Sequence, residues 1–270
     1  MYKMLVLDVD GTLISSSGQI TEADKEAVRA AEDAGVKIVI GSARPYPALK
    51  KSVLDELALS DPYVIAGSGS SVWRASDNSK FFGYLMTVEQ VKNCVAFANK
   101  YGYNFLAIKD DGDYYAPEGS KATVFYEESF GMKGSVIDFE KRDCDDCCKV
   151  MLFTDPEPEV VFECMERMKA ELPDYGVSKT WINILEFYTS HDIKKEIAMA
   201  HLAELLGIDL SEIVAVGDDI VDIGMIKAAG LGVAMGNAGD AVKAEADFIT
   251  RSNDEGGVAH VVNSFILNQE

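Results

Sequence analysis

The sequence has little positive charge and no long apolar segment, and both absences narrow the class of protein. Its 25 Lys and Arg residues stand against 45 Asp and Glu residues, which gives a net charge of -20. This charge opposes binding to nucleic acid or to an anionic membrane surface, and no local basic patch offsets it. The sequence lacks a run of about 18 apolar residues and a secretion-signal pattern at its start. We therefore expect a cytoplasmic protein that binds neither nucleic acid nor membrane.

Side chains that bind soft metal ions are also scarce. The three histidines have no spacing typical of a metal site. The five cysteines are an odd number, which together with the missing secretion signal indicates reduced thiols. Three of them cluster in the segment 144–148, for which zinc is an alternative interpretation. Because a closed zinc site needs four ligands and no second Cys or His pair is suitably spaced, we expect free cysteines there.

The composition and the apolar segments indicate a globular α/β protein. The chain has 270 residues, of which 48% are hydrophobic, so it is long enough for one large domain or two small ones. Strand-like apolar segments alternate with helical patterns near both ends, and this alternation predicts a parallel sheet. The predicted strands are 4–7, 36–40, 63–66, 213–216, 232–234 and 248–250, and the predicted helices are 21–34 and 193–206.

The middle of the chain has a different pattern and predicts an inserted domain. Helices are predicted at 87–101 and 157–172, and strands at 103–108, 150–153 and 182–188. We expect a Rossmann-like core formed by residues 1–83 and 190–270, with an α+β cap formed by residues 84–189. Two connections would make a hinge through which the cap opens and closes over the edge of the core sheet.

The first predicted helix shows the local signals on which these assignments depend. Thr21 and Asp24 have the spacing of a capping box, and Gly35 ends the helix. The helical spacing predicts a buried apolar face formed by Ala23, Ala27, Val28, Ala31 and Ala34.

Two carboxylates directly follow the first apolar segment. Alternate side chains of an extended chain share one face, so Asp8 and Asp10 need a metal ion or a shared proton. Ser42 and Asp218 follow two other predicted strands, and the carboxyl ends of parallel strands meet at one edge of a sheet. Lys195, at the start of a helix, can reach this edge, with Lys194 as the competing choice. The alternative interpretations are turn and helix-cap residues.

These groups suit phosphoryl transfer. A carboxylate nucleophile can form an acyl phosphate, and a second carboxyl can donate a proton to the leaving oxygen. Hydroxyl, backbone N–H and ammonium groups can hold the phosphoryl oxygens. Magnesium prefers oxygen ligands, and Asp8 and Asp218 provide them.

The chain resembles the Cof-type phosphatases of the haloacid dehalogenase superfamily over essentially its whole length. The segment Asp8-Val9-Asp10-Gly11-Thr12-Leu13 matches their first motif, and 217–222 resembles their fourth. The resemblance implies that Asp8 is the nucleophile and a magnesium ligand. It implies that Asp10 is the acid/base and a ligand through its main-chain carbonyl, and that Asp218 is a further ligand.

The resemblance also implies roles for residues around this centre. Ser42 and Lys195 would bind the phosphoryl oxygens, and Asp222 would support a metal-bound water or Lys195. Arg44 and Asn237 are supporting candidates, Asn237 lying in a segment typical of this group. The expected function is magnesium-dependent hydrolysis of a small phosphate monoester, such as a sugar phosphate, through an aspartyl-phosphate.

Four positions depart from the family pattern. Val221 and Ser68 replace an asparagine of the pattern, and Ala43 and Glu196 replace a glycine. Such changes around a site can cost 10–100-fold in metal affinity or activity. Two alternatives therefore stay open, namely a phosphomutase or other phosphotransferase, and a catalytically weak protein that binds a phosphorylated ligand.

Overall fold

A computed structural model describes residues 1–267, which form two compact units. The core unit consists of Met1–Phe82 and the chain from Lys194 onward, and the inserted unit consists of Gly83–Ile193. Within residues 1–267, every helix is too short or too polar to cross a bilayer.

The two units contain fourteen strands and ten α-helices within the described residues. The strands are β1 (Met4–Asp8), β2 (Lys37–Gly41), β3 (Tyr63–Ala66), β4 (Ser71–Arg74), β5 (Ser79–Gly83), β6 (Asn104–Lys109), β7 (Tyr114–Ala116), β8 (Gly134–Val136), β9 (Cys147–Phe153), β10 (Gly176–Trp181), β11 (Ile184–Tyr188), β12 (Ile213–Gly217), β13 (Leu231–Ala234) and β14 (Phe248–Ile249). The helices are α1 (Glu22–Asp33), α2 (Tyr46–Leu49), α3 (Asp55–Leu57), α4 (Val88–Tyr101), α5 (Ala122–Phe130), α6 (Pro158–Glu171), α7 (Lys195–Leu206), α8 (Ile223–Ala228), α9 (Asp240–Lys243) and α10 (Gly257–Val261).

The core unit is built on an eight-stranded sheet in the order β14-β13-β12-β1-β2-β3-β4-β5. The six strands from β14 to β3 run parallel, and β4 is antiparallel to β3. Both faces of the sheet are covered, because Leu5 and Leu7 of β1 pack in one apolar cluster and Met4 and Val6 pack in another. A parallel sheet covered on both faces explains why β1 is a continuous apolar run that ends in a charge.

The inserted unit has a six-stranded sheet in the order β10-β11-β9-β6-β7-β8. Its strand pairs are antiparallel except for β7 and β8. Side chains from α4 and α6 pack with one set of strand residues, whereas Tyr126 of α5 packs with the alternate set. The alternation along β6 and β9 therefore assigns these helices to opposite faces of the sheet.

The α/β fold class is confirmed, whereas several element boundaries were wrong. Helix α7 begins at Lys195 rather than at 193, and β11 begins at Ile184 rather than at 182. Strands β4, β5, β7, β8 and β10 and helix α5 were missed, because these elements are short or have many exposed residues. All five cysteines are buried thiols outside any disulfide, and two of them open β9.

The buried face of α1 differs from the predicted one. Ala23 and Ala34 are exposed, whereas Asp24 is fully buried. The Asp24 carboxylate accepts hydrogen bonds from the Thr21 hydroxyl at 2.7 Å and from the Ala259 N–H at 2.7 Å. Burial raises the pKa of Asp24. Because Ala259 belongs to α10, this carboxylate joins the first helix of the core unit to its last one.

We predict that Asp24→Ala destabilises the core unit by about 2 to 3 kcal/mol, because the buried N–H of Ala259 loses a charged acceptor. Asp33→Ala is the matched control, since Asp33 is the exposed last residue of the same helix. Equilibrium urea unfolding followed by circular dichroism measures both. Equal stability of the two variants would contradict a joining role for Asp24.

Candidate active site

The site begins where three neighbouring strands of the core sheet end. In the parallel register, Leu7 of β1 lies beside Val216 of β12, and Asp8 lies beside Gly41 of β2. The residues that follow these strands therefore leave the sheet at one edge. Carboxylate oxygens of Asp8, Asp218 and Asp222 lie within 4.8 Å of one another at this edge.

Lys195 contributes a buried positive charge to this cluster. Its side chain is 4% exposed, and its ammonium donates hydrogen bonds to Asp8 and, at 2.7 Å, to Asp222. Burial lowers the pKa of Lys195, but the Asp222 and Asp8 carboxylates outweigh that effect and the net shift is upward. Lys194 is exposed at the N-cap of α7. Of the two competing lysines, the structure brings Lys195 to the carboxylates.

The carboxylates carry more negative charge than Lys195 neutralises. Burial, followed by repulsion from Asp222, raises the pKa of Asp8 well above its ordinary value, although Lys195 opposes the shift. Burial also raises the pKa of Asp218 to about 6, against the lowering effect of its hydrogen bond from Thr12. Crowded, buried carboxylates of this kind favour a second cation.

The donor set fits a hard divalent cation such as Mg²⁺. Within residues 1–267, the group of acidic, His and Cys side chains suited to holding a metal consists of carboxylates alone. Both oxygens of Asp222 are already engaged: one accepts from Lys195, and the other accepts from the N–H groups of Asp218 and Asp219 at 3.2 Å each. Asp8 and Asp218 are therefore the side chains best placed to hold the ion, with Asp222 fixing their surroundings.

Gly11 allows Asp218 to approach the end of β1. Its φ is +87°, and a Cβ at this position would lie 2.3 Å from a carboxylate oxygen of Asp218. The next residue, Thr12, donates a 2.8 Å hydrogen bond from its hydroxyl to Asp218. Sequence reasoning gave Thr12 no role. The position of Thr12 within the first motif could have indicated a functional role. Nothing in the sequence indicated that its partner is Asp218.

Asp10 lies at the exposed side of the site and is held by Arg44. The Arg44 guanidinium donates two hydrogen bonds to the Asp10 carboxylate, one of them from Nε at 3.0 Å. The Asp10 side chain is about half exposed. Ser42 is buried, and its hydroxyl oxygen accepts from the Arg44 N–H at 3.2 Å, so its own proton remains to be donated.

Asn237 reaches the same region from the loop after β13. Its Nδ2 donates to the Gly11 carbonyl at 2.8 Å, and its Oδ1 accepts from the Asn253 N–H at 3.0 Å. Asn253 lies in the loop between β14 and α10. The Asn253 side chain binds the main-chain carbonyl of Ile14. The sequence gives no indication of this contact, because a main-chain carbonyl is present in every residue.

The departures from the family pattern leave the contacts among the carboxylates and Lys195 in place. Val221 is 42% exposed, and Ala43 lies between Ser42 and Arg44. The Glu196 carboxyl group lies over Gly224, where a Cβ would be 2.3 Å away, so this glycine accommodates the larger side chain. Ser68 has a left-handed backbone with φ +59°, a conformation in which asparagine is commoner than serine.

The chain matches the family described as haloacid dehalogenase-like hydrolase over residues 5–262. It is 32% identical over 265 residues to 5-amino-6-(5-phospho-D-ribitylamino)uracil phosphatase YcsE of Bacillus subtilis (strain 168), covering 98% of this chain and 96% of that protein. It is 27% identical over 294 residues to Phosphatase YwpJ of the same organism, covering 98% of this chain and 100% of that protein.

The fold is also found among solved structures. A haloacid dehalogenase-like hydrolase from Bacteroides thetaiotaomicron superimposes with a TM-score of 0.87 at 25% sequence identity, covering 98% of this chain and 100% of that chain. The family match spans both units, and the relatives are aligned over nearly their whole length. The chain therefore belongs to the haloacid dehalogenase-like hydrolase family and is a phosphatase of that family.

Proposed function

We propose that the protein is a magnesium-dependent phosphatase that hydrolyses a small phosphate monoester through an aspartyl-phosphate on Asp8. The observation that supports this most strongly is the cluster of Asp8, Asp218 and Asp222 around the Lys195 ammonium. Burying a charged carboxylate without a countercharge costs free energy. A lysine and a cation beside the carboxylate reduce this cost and keep it charged, so that it can attack a phosphoryl group.

The carboxylates of Asp8 and Asp218 and the main-chain carbonyl of Asp10 would hold Mg²⁺. When bound, the ion neutralises charge on the phosphoryl oxygens and on the carboxylates. Asp222 keeps this arrangement in place, since it accepts from Lys195 and from the N–H of Asp218. The Ser42 hydroxyl and the Lys195 ammonium would hold the oxygens of the transferring phosphoryl group.

The reaction has two steps that use the same two aspartates. In the first, an Asp8 carboxylate oxygen attacks phosphorus, the bond to the leaving oxygen breaks, and Asp10 donates a proton to that oxygen. In the second, water attacks the acyl phosphate while Asp10 takes its proton, so that phosphate leaves and the Asp8 carboxylate is restored. Asp10 is half exposed at the outer side of the site, where its carboxyl group can exchange a proton with the leaving oxygen and with water, and Arg44 holds it in position.

The substrate is proposed to be a small phosphorylated metabolite of the sugar-phosphate class. The relative YcsE is named for a phosphate ester of a ribityl chain, which is an ester of this kind. The chain has a net charge of -20 and therefore does not attract an anionic phosphate ester over long distance. Binding must then depend on local cations, which are Lys195, Arg44 and the proposed metal ion.

We predict that Asp8→Asn abolishes hydrolysis of an aryl phosphate, because the amide retains the shape of the side chain but is not a nucleophile. Asp33→Asn, an exposed change at the end of α1, is the control and is expected to retain full activity. Release of inorganic phosphate measures both. Undiminished turnover in Asp8→Asn would contradict the proposed nucleophile.

Two other outcomes of this assay decide between the alternatives. Transfer of labelled phosphate from the substrate to an acceptor sugar, rather than to water, would indicate a phosphotransferase. A wild-type protein that binds phosphate esters in the presence of Mg²⁺ without releasing phosphate would indicate a binding protein.

We predict that Asp218→Asn raises the Mg²⁺ concentration for half-maximal activity by at least about 10-fold, because a direct ligand loses its charge. The neighbouring Asp219→Asn is the control, since Asp219 is exposed and caps the next turn through an oxygen that asparagine keeps. Titration calorimetry with Mg²⁺ measures the same difference without substrate. Equal Mg²⁺ affinities for the two variants would exclude Asp218 as a ligand.

We predict that Lys195→Met lowers kcat/KM by about 10²- to 10³-fold, because a preorganised donor to the phosphoryl oxygens is lost. Lys194→Met is the matched control at the adjacent, exposed position and is expected to change activity by less than about 2-fold. Steady-state kinetics with saturating Mg²⁺ compares the two. A larger effect at Lys194 than at Lys195 would reverse the assignment.

A further inference from the structure

The segment that follows β1 is tightly folded and leaves two carbonyl groups for outside donors. The Val9 carbonyl accepts hydrogen bonds from the N–H groups of Leu13 at 3.0 Å and Ile14 at 2.9 Å. Asp10 is paired with Ile14 in an isolated bridge. The Gly11 and Ile14 carbonyls accept from two asparagines instead.

These two asparagines come from separate loops and are bonded to each other. The Asn237 Nδ2 donates to the Gly11 carbonyl at 2.8 Å, and the Asn253 Nδ2 donates to the Ile14 carbonyl at 2.8 Å. The Asn253 main-chain N–H donates to the Asn237 Oδ1 at 3.0 Å. Together they bind both ends of the segment 11–14, which begins directly after Asp10.

The position of this segment matters to the proposed chemistry on both of its sides. Asp10, the proposed acid/base, precedes Gly11, and Gly11 is packed against the Asp218 carboxylate so closely that a Cβ would not fit. Thr12 in the same segment donates to Asp218. A displacement of the segment would therefore move Asp10 and Asp218 relative to Asp8.

Asn253 is the more buried of the two asparagines, with 8% of its surface exposed. A buried amide without partners is costly, so its hydrogen bonds fix the segment firmly. Its bonds go to the Ile14 carbonyl and to Asn237 rather than to the carboxylates of the site. Asn253 thus acts on the site through the segment and not on the reacting atoms.

We propose that Asn253 is a positioning residue for catalysis, which with Asn237 sets the placement of Asp10 and of the Asp218 ligand through the segment 11–14. This inference rests on the proposed function, because it assigns Asn253 to the same site. The two asparagines bond the segment beside the proposed ligands and not the ligands themselves, and the loss of groups that orient metal ligands costs 10–100-fold in affinity or activity.

The experiment compares Asn253→Ala and Asp254→Asn in the full chain. Asp254 is the matched control, since it adjoins Asn253 in the same loop, is exposed, and accepts from the Ser16 N–H through an oxygen that asparagine keeps. We expect Asn253→Ala to lower kcat about 10- to 100-fold and to change KM by less than about 3-fold. Asp254→Asn is expected to keep wild-type values.

Two further measurements separate positioning from a purely structural role. Asn237→Ala and the double variant are assayed with Asn253→Ala, and the double loss should be smaller than the product of the single losses, because both side chains hold one segment. Circular dichroism and urea unfolding of each variant show which protein is folded. A kcat of folded Asn253→Ala within 2-fold of wild type, or single losses that multiply fully, would overturn the inference.

Direct Mg²⁺ binding keeps this test independent of turnover. Calorimetric titration of Mg²⁺ into wild type and Asn253→Ala is expected to show at least about 10-fold weaker binding in the variant. A wild-type protein that binds Mg²⁺ but releases no phosphate would contradict the proposed function alone. Equal Mg²⁺ affinity of the two proteins would contradict the positioning role alone.

Discussion

The arrangement depends on the repulsion among three crowded carboxylates, two buried and one half-buried, where the parallel strands of the core sheet end. Asp8, Asp218 and Asp222 present oxygens within 4.8 Å of one another, and one buried ammonium, that of Lys195, lies among them. Like charges at this distance are unfavourable in a poorly solvated place unless cations balance them. The proposed divalent ion would offset the remaining negative charge and would also attract the phosphate of the substrate.

Three features of the core unit bring these charged groups together, namely the ends of the parallel strands, Gly11 and Asp222. Three adjacent parallel strands end at the same edge, so residues far apart in sequence leave the sheet together. Gly11 removes a Cβ that would collide with Asp218. Asp222 accepts from the Lys195 ammonium and from the N–H of Asp218, so that one carboxylate orients both the buried cation and the loop that carries Asp218. The inserted unit has its own sheet and its own apolar core.

The sequence predicted the parts of the molecule that have strong local signals. The six parallel strands of the core consist mainly of apolar residues, and the position of the carboxylates after β1 and β12 follows from the rule for parallel sheets. Strand β5 was missed because its residues are largely exposed, and the burial of Asp24 was missed because its partner on α10 is distant in sequence. The resemblance favoured Lys195 over Lys194, because Ala198 and Leu202 then fall at the apolar positions of the family's helix, and in the structure Lys195 is buried whereas Lys194 is exposed. The contact of Asn253 with the segment 11–14 could not be predicted, because its side-chain amide binds a main-chain carbonyl and every residue has one.

The most direct test of Asp8 as the nucleophile is detection of the covalent intermediate on the intact enzyme. A reaction with Mg²⁺ and an aryl phosphate is quenched in acid during turnover, and the peptides are analysed by mass spectrometry. We predict the added mass of one phosphoryl group on the peptide that contains Asp8, located at that residue by fragmentation. A phosphoryl group on another residue, or steady turnover with no phosphorylated Asp8 at any quench time, would contradict it.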